Sequence, residues 1–307
     1  MMSSAHLNNE EGERPTPYRF RFLRYAAPAC CIMATAGIYL RVEVRMGVMS
    51  KRIALVALNI IGVIGTIIIN ALGVLLPLNN KTTAELSDKY PNLFVPAGYT
   101  FSIWSVIYLL LIAFTVYHVF VLIKNKGRAK TVIEKTGILF FLSCCANAGW
   151  IFAWHYELVP LSMAVMLVLL AVLIMMYLRL NIGKEKVSPG ERYCVHLTVS
   201  VYLGWISIAT IANASVLLVA MGWNSFSLSD QIWTIMVIMV GITLGILTLF
   251  LRNDVYYTAV IIWAFTGILI KRLSDNPSTA IGVIIAVIVG IAILCTSAVV
   301  QAVRRKI

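Results

Sequence analysis

This chain of 307 residues predicts an all-α polytopic membrane protein on three observations. Hydrophobic residues make up 60% of it and charged ones only 12%, a balance outside the range of water-soluble domains. Apolar runs of about 20 residues, enough to cross ~30 Å of hydrocarbon as helix, recur along nearly everything after residue 50. Basic residues cluster in every second connection between these runs. Together they predict eight spans, at 53–78, 100–124, 137–156, 159–180, 194–222, 230–251, 254–271 and 278–303.

The first 48 residues stand apart, because they contain six arginines and no lysine, whereas the remainder has eleven lysines and eight arginines. Their one apolar run, "YAAPACCIMATAGIYL" at 25–40, is short for a span and contains Pro28. The segment 1–48 is read as an N-terminal extension upstream of a start at Met46 or Met49. An amphipathic or re-entrant arm and a targeting sequence are the alternatives. Residues 49–222 then form a first transmembrane domain of five helices, and 223–307 three additional helices. The second span enters through "PAGYTFSIWSVIY", dense in aromatic residues, and the seventh is short but extends toward Asp254 and Lys271. Gly241 and Gly245 in the sixth span, and Gly282, Ala286 and Gly290 in the eighth, form small-residue stripes that permit close helix approach. Such stripes serve either to dock the added helices on the first five or to build a homodimer face.

Lysine and arginine are retained in cytoplasmic connections. Counted from Lys51, one side of the membrane holds 15 basic residues, including Lys51, Arg52, Lys135, Arg192, Arg252 and Arg304. The other holds Lys81, Lys89, Lys271 and Arg272. Both termini are therefore expected in the cytoplasm, in a multi-pass protein of the cytoplasmic (plasma) membrane. The net charge of +12 is accounted for by this topology, and no nucleic-acid partner is expected.

No Asp, Glu, Lys or Arg falls in the hydrocarbon portion of a span, which argues against a proton-driven transporter. Phosphate loops, nucleophile elbows and metal-type Cys/His spacings are absent, so no catalytic residue or metal ligand is assigned. His155 beside Glu157, at an outer helix end, is expected to form an interfacial polar pair.

What the spans do carry is aromatic and amide groups at helical spacing. Trp104 and Tyr108 are i, i+4 neighbours; Asn147, Trp150 and Trp154 follow as i, i+3, i+7; Tyr202, Trp205, Ala209 and Asn213 step by three, four and four. Each set shares one helix face. At 1.5 Å per residue, Tyr108, Trp150 and Asn213 lie about 12, 9 and 13 Å below the outer ends of their helices, one common level. Interfacial anchoring and helix–helix hydrogen bonding explain such residues singly. Jointly they also describe a largely apolar cavity with a few oriented polar groups, covered by the loop 79–98.

These blocks resemble the TspO/MBR family of tryptophan-rich sensory proteins, which includes the mitochondrial translocator protein. The family's proline-rich entry and Trp-x-x-x-Tyr pair are matched by Pro96, Trp104 and Tyr108, its Asn-x-x-Trp by Asn147 and Trp150, and its fifth-helix pattern by Tyr202, Trp205, Ala209 and Asn213. The resemblance covers about residues 50–222 and implies a TspO-like five-helix bundle, here with three additional transmembrane helices. The chain differs from the family where Phe101 and Ser102 replace a Gly-Pro, where Trp154 and His155 replace paired phenylalanines, and in a first loop without tryptophan.

The function this resemblance implies is binding of a tetrapyrrole, porphyrin or another planar apolar ligand within the bilayer, for sensing or transport. The alternatives are a membrane enzyme acting on porphyrins and a regulatory partner of another membrane protein. No cofactor is required in any of them; a tetrapyrrole enters as ligand. The expected ligand-binding residues are Pro96, Trp104, Tyr108, Asn147, Trp150, Trp154, Tyr202, Trp205, Ala209 and Asn213.

Overall fold

A computed structural model describes residues 47–73, 78–124, 127–223, 228–275 and 277–304. The readings of the segment 1–46 lie outside the described residues. The chain divides into two units, Met1–Lys51 and Arg52–Ile307, and everything below concerns the second, apart from the helix start at Gly47. The described residues are helical with no strand. In chain order the helices are α1 (Gly47–Gly73), α2 (Thr83–Asp88), α3 (Ile103–Lys124), α4 (Gly127–Thr136), α5 (Leu139–His155), α6 (Val159–Arg179), α7 (Leu197–Ala220), α8 (Asp230–Arg252), α9 (Val255–Ser274) and α10 (Ile281–Arg304). Seven helical stretches are long and apolar enough to cross a membrane, and α5, with 17 residues, is the shorter eighth. The eight-span, all-α architecture expected from the sequence is thus observed.

Polar residues set the helix ends. Thr82 caps α2 in a reciprocal box with Glu85. Ser229 accepts from the Ile232 amide at the start of α8, and Asp254 accepts from the Tyr256 and Tyr257 amides at the start of α9. Helix α5 stops at Glu157, which adopts φ 56°, while Leu158 N–H returns to the Ala153 carbonyl. A left-handed, non-glycine residue is uncommon there. Glu157 is held by its side chain, on which Lys81, Lys89 and Tyr90 converge from the preceding loop.

Helix α5 packs on α6, α6 on α7, and α7 on α9; α8, α9 and α10 pack on one another. Helix α1 lies against α5, where Asn70 Nδ2 donates to Asn147 Oδ1 at 2.7 Å. A Cβ on Gly204 of α7 would stand 3.1 Å from the Tyr257 carbonyl of α9, so glycine lets those backbones meet. The small-residue stripes let α8, α9 and α10 pack closely on one another, and Gly241 also reaches Ile208 of α7. Gly241 faces Phe265 and Ile208, Gly245 faces Leu294, and Gly290 faces Ile242.

Several boundaries differ from expectation. The first span begins at Gly47 rather than 53, and residues 74–77 of its expected end lie outside the described set. Between the second and third expected spans α4 forms, burying Val132 and Ile133 while Glu134 pairs with Arg52 and Lys135 with Glu185. The fifth span starts earlier than 194, through a helical turn at Pro189–Glu191 and a wide π-type turn at Arg192–His196. The seventh extends to Ser274, because Lys271 and Arg272 find Asp88 and Asp275 and remain helical. His155 and Glu157 do not pair. His155 is buried and its Nδ1–H donates to the Ile151 carbonyl at 2.8 Å, whereas Glu157 takes the two lysines.

Candidate functional site

The entry to α3 is a 3-10 turn, Gly98–Ser102, which aims Phe101 and Trp104 inward. Trp104 is the centre of an aromatic stack. Its ring lies 5.8 Å from Tyr108 and 6.1 Å from Trp150, both stacked, and 6.2 Å from Tyr202 and Trp205, both edge-on. Trp150 in turn stacks on Trp154 at 5.6 Å. Offset stacks and edge-to-face contacts are favoured arrangements of aromatic quadrupoles. The three aromatic sets read from helical spacing therefore converge on one residue.

Two cavities flank Trp104. The first, of about 40 Å³, is walled by Trp104, Trp150, Trp154 and Trp205, with Ala209 and Asn213 of α7 behind them. Thr83, Ser87, Phe94 and Pro96 of the 79–98 loop cover it. Helix α9 adds Ala264 and Ile268 to the wall. About 40 Å³ holds two or three waters at most. The second cavity, of about 270 Å³, lies toward α1 and α5, and Tyr108, Asn70, Ile151 and His155 line it together with the other face of Trp104.

The polar groups near the first cavity are largely engaged in joining helices. Trp150 Nε1–H donates to Asn213 Oδ1 at 3.0 Å, and Asn213 Nδ2 donates to Ser162 Oγ at 3.1 Å, linking α5, α7 and α6. Trp154 Nε1–H reaches the Thr83 carbonyl at 3.4 Å and so ties α5 to the loop. Trp205 Nε1–H, by contrast, is buried in the wall of the cavity without a partner among the described residues. An unpaired buried donor costs about 1–3 kcal/mol, which a ligand acceptor would recover.

Of the ten residues singled out from sequence, Pro96, Trp104, Trp150, Trp154, Trp205, Ala209 and Asn213 line the first cavity. Tyr108 lines the second. Asn147 and Tyr202 are buried but are not wall residues of either; Asn147 accepts from Asn70 and Tyr202 meets the edge of Trp104. Tyr108, Trp150 and Asn213 are thus split by Trp104 despite their similar depth. Sequence reasoning missed Phe101, Phe94 and the α9 residues. The last carried no signal, since alanine and isoleucine are ordinary in any apolar span.

Helix α9 also fixes the roof. Ala97 N–H donates to the Gly267 carbonyl at 3.0 Å, and Trp263 Nε1–H donates to the Thr100 carbonyl at 3.0 Å. A Cβ on Gly267 would lie 2.0 Å from Thr100 Oγ1, so only glycine admits the turn this close. Beyond the membrane-spanning part, the two lysines that hydrogen-bond Glu157 pull its carboxyl down to about 2, Lys81 contributing most.

No curated protein and no solved structure matches the chain. A family model described as "TSPO-like protein" does, over residues 55–300. The match runs from within α1 to within α10, well past the 50–222 over which the residue blocks resemble that family, and it agrees with a polytopic bundle suited in general to ligand binding or sensing in the membrane. The chain belongs to the TSPO-like protein family.

Proposed function

We infer that the protein binds a planar, largely apolar ligand of the tetrapyrrole class inside the bilayer, for sensing or transport. The observation that carries this reading is the ring series Trp154, Trp150, Trp104, Tyr108, spaced at 5.6, 6.1 and 5.8 Å and tilted by no more than 27° between neighbours. Parting Trp104 from Trp150 opens a flat slot. It also joins the cavity of about 40 Å³ to that of about 270 Å³, reaching the size range of small-molecule sites. The unpaired Trp205 N–H supplies one orienting donor at its edge. The charge asymmetry supports cytoplasmic termini in the cytoplasmic membrane, with the roof loop outside.

Titration with free-base protoporphyrin in lipid nanodiscs tests the reading. Energy transfer from the stacked tryptophans to the macrocycle should quench their fluorescence saturably. Trp205→Phe keeps the ring but removes the donor, and should weaken binding about fivefold to tenfold, the worth of one buried hydrogen bond. Quenching that rises linearly with porphyrin, as lipid partitioning gives, overturns it.

A further inference from the structure

A third cavity, of about 430 Å³ and so within the size range of small-molecule sites, lies on the other side of the roof from the tryptophans. The chain of the roof divides the two spaces. Phe94 and Pro96 line the aromatic cavity, whereas Leu93 and Val95, which alternate with them, line this one. The rest of its wall is charged. Lys271 and Arg272 come from the last turn of α9, Asp230 from the first turn of α8, and Asp88 and Asp275 stand beside them.

A carboxylate at the start of one helix and cations at the end of another complement the backbone dipoles. That role accounts for Asp230, which is exposed, but it does not require a buried arginine. Arg272 is only 7% exposed. Its guanidinium has five N–H donors to satisfy. Asp275 reaches Nη2 at 3.1 Å but is itself 48% exposed, so its charge is shared with water. The Nε–H is buried without a partner among the described residues. A guanidinium desolvated to this degree is incompletely compensated, and an oxyanion in the cavity it lines supplies the missing charge.

The same wall holds an uncompensated charge of the other sign. Asp230 forms no ion pair among the described residues and stands beyond ion-pairing distance of both Lys271 and Arg272. Three carboxylates against two cations oppose a simple anion, and the adjacent cations oppose a simple cation. Among the described residues no carboxylates converge so as to hold a metal ion. A wholly apolar occupant would strip water from these charges and return nothing.

We propose that this cavity binds a small zwitterion of the aminoalkyl phosphate class, with its phosphate against Arg272 and Lys271 and its primary ammonium on Asp230. Tetrahedral phosphate oxygens point in several directions and so meet two neighbouring cations at once, one a planar fork and the other a point charge. The methylenes between the two charged ends lie along Leu93 and Val95. A soluble aminoalkyl phosphate and the ethanolamine headgroup of a phospholipid share this chemistry. The site lies outside the aromatic bundle and does not depend on the tetrapyrrole reading.

The test is binding of radiolabelled O-phosphoethanolamine to the full chain in phosphatidylcholine nanodiscs. Binding should be saturable, and inorganic phosphate or ethanolamine, each carrying one half of the zwitterion, should compete at least tenfold more weakly. Asp230→Asn, at an exposed position, should bring phosphoethanolamine to within twofold of phosphate. Arg272→Gln should abolish binding of both; should that buried variant fail to fold, Lys271→Gln should weaken both severalfold and keep their ratio. Repeating the titration with phosphatidylethanolamine in the disc separates the sources. A headgroup ligand lowers the apparent affinity in proportion to that lipid, a soluble one leaves it unchanged, and either result agrees with the proposal. No saturable binding, phosphate or ethanolamine competing as well as the zwitterion, a tenfold preference that survives Asp230→Asn, or unchanged binding in Lys271→Gln would each overturn it.

Discussion

The two faces of Trp104 have been treated differently by the fold. On the α9 face the turn before α3 is tied down by the Ala97–Gly267 and Trp263–Thr100 hydrogen bonds, and the end of α2 by the Lys271–Asp88 ion pair at 2.8 Å. The space left is about 40 Å³. On the α1 face no such clamp exists among the described residues of its wall, the wall includes two exposed serines, and about 270 Å³ remains. Trp104 and Phe101, which line both cavities, thus separate packed interior from usable space. The difference lies in whether a later helix closes over it.

Removing the partition should have the largest effect. Trp104→Ala deletes a ring in contact with four others, and large-to-small changes of this kind cost about 3–5 kcal/mol. Its thermal midpoint in detergent should fall well below that of the wild type; an unchanged midpoint would mean that the stack contributes little. Gly267→Ala attacks the closed face alone. The methyl meets Thr100, and overpacking should cost about 1–3 kcal/mol, partly restored when Thr100→Gly is added. If the double variant is no more stable than the single one, the clash is relieved elsewhere and the clamp is not rigid.

The smallest effect concerns Glu157, which anchors the roof loop to the end of α5. Its folded carboxyl is held down to about 2 by Lys81 and Lys89, below its unfolded value. The pairing therefore contributes its full stability above about pH 4.5, and that contribution is lost as pH falls toward 2. For partly exposed pairs it amounts to about 1 kcal/mol or less. Protection factors of amides 81–90, which correct for the slower intrinsic exchange in acid, should fall between pH 5 and 2 more in the wild type than in Glu157→Gln. Identical pH responses would show that the loop is held without these pairs.

Spacing within a helix was legible from the sequence, and what crosses between helices was not. The i, i+4 and i, i+3, i+7 steps put Trp104, Tyr108, Trp150 and Trp154 on inward faces, where they are found. The similar depth of Tyr108 and Asn213 suggested one cavity, because depth carries no angular information; Trp104 stands between them. Asn213 reads identically whether its amide meets a ligand or, as here, Trp150 and Ser162. His155 was assigned to Glu157 because they are close in sequence. Two lysines brought back by the loop outcompete it for the carboxylate, and that loop's path depends on contacts with α5 and α9 that no local pattern encodes.

The contribution of α9 to the cavity wall has a consequence for how the protein is made. Chains are synthesised from the N-terminus, and early segments begin to organise while later ones are still emerging. The tryptophans of α3, α5 and α7 are all in the membrane before Ala264, Gly267 and Ile268 exist. Until then the aromatic box has one side open to lipid, and the backbone N–H of Ala97 has no carbonyl to receive it. Maturation of the site is thus a post-insertional event, completed by one of the last helices to leave the ribosome, and a chain interrupted after residue 222 stops one wall short.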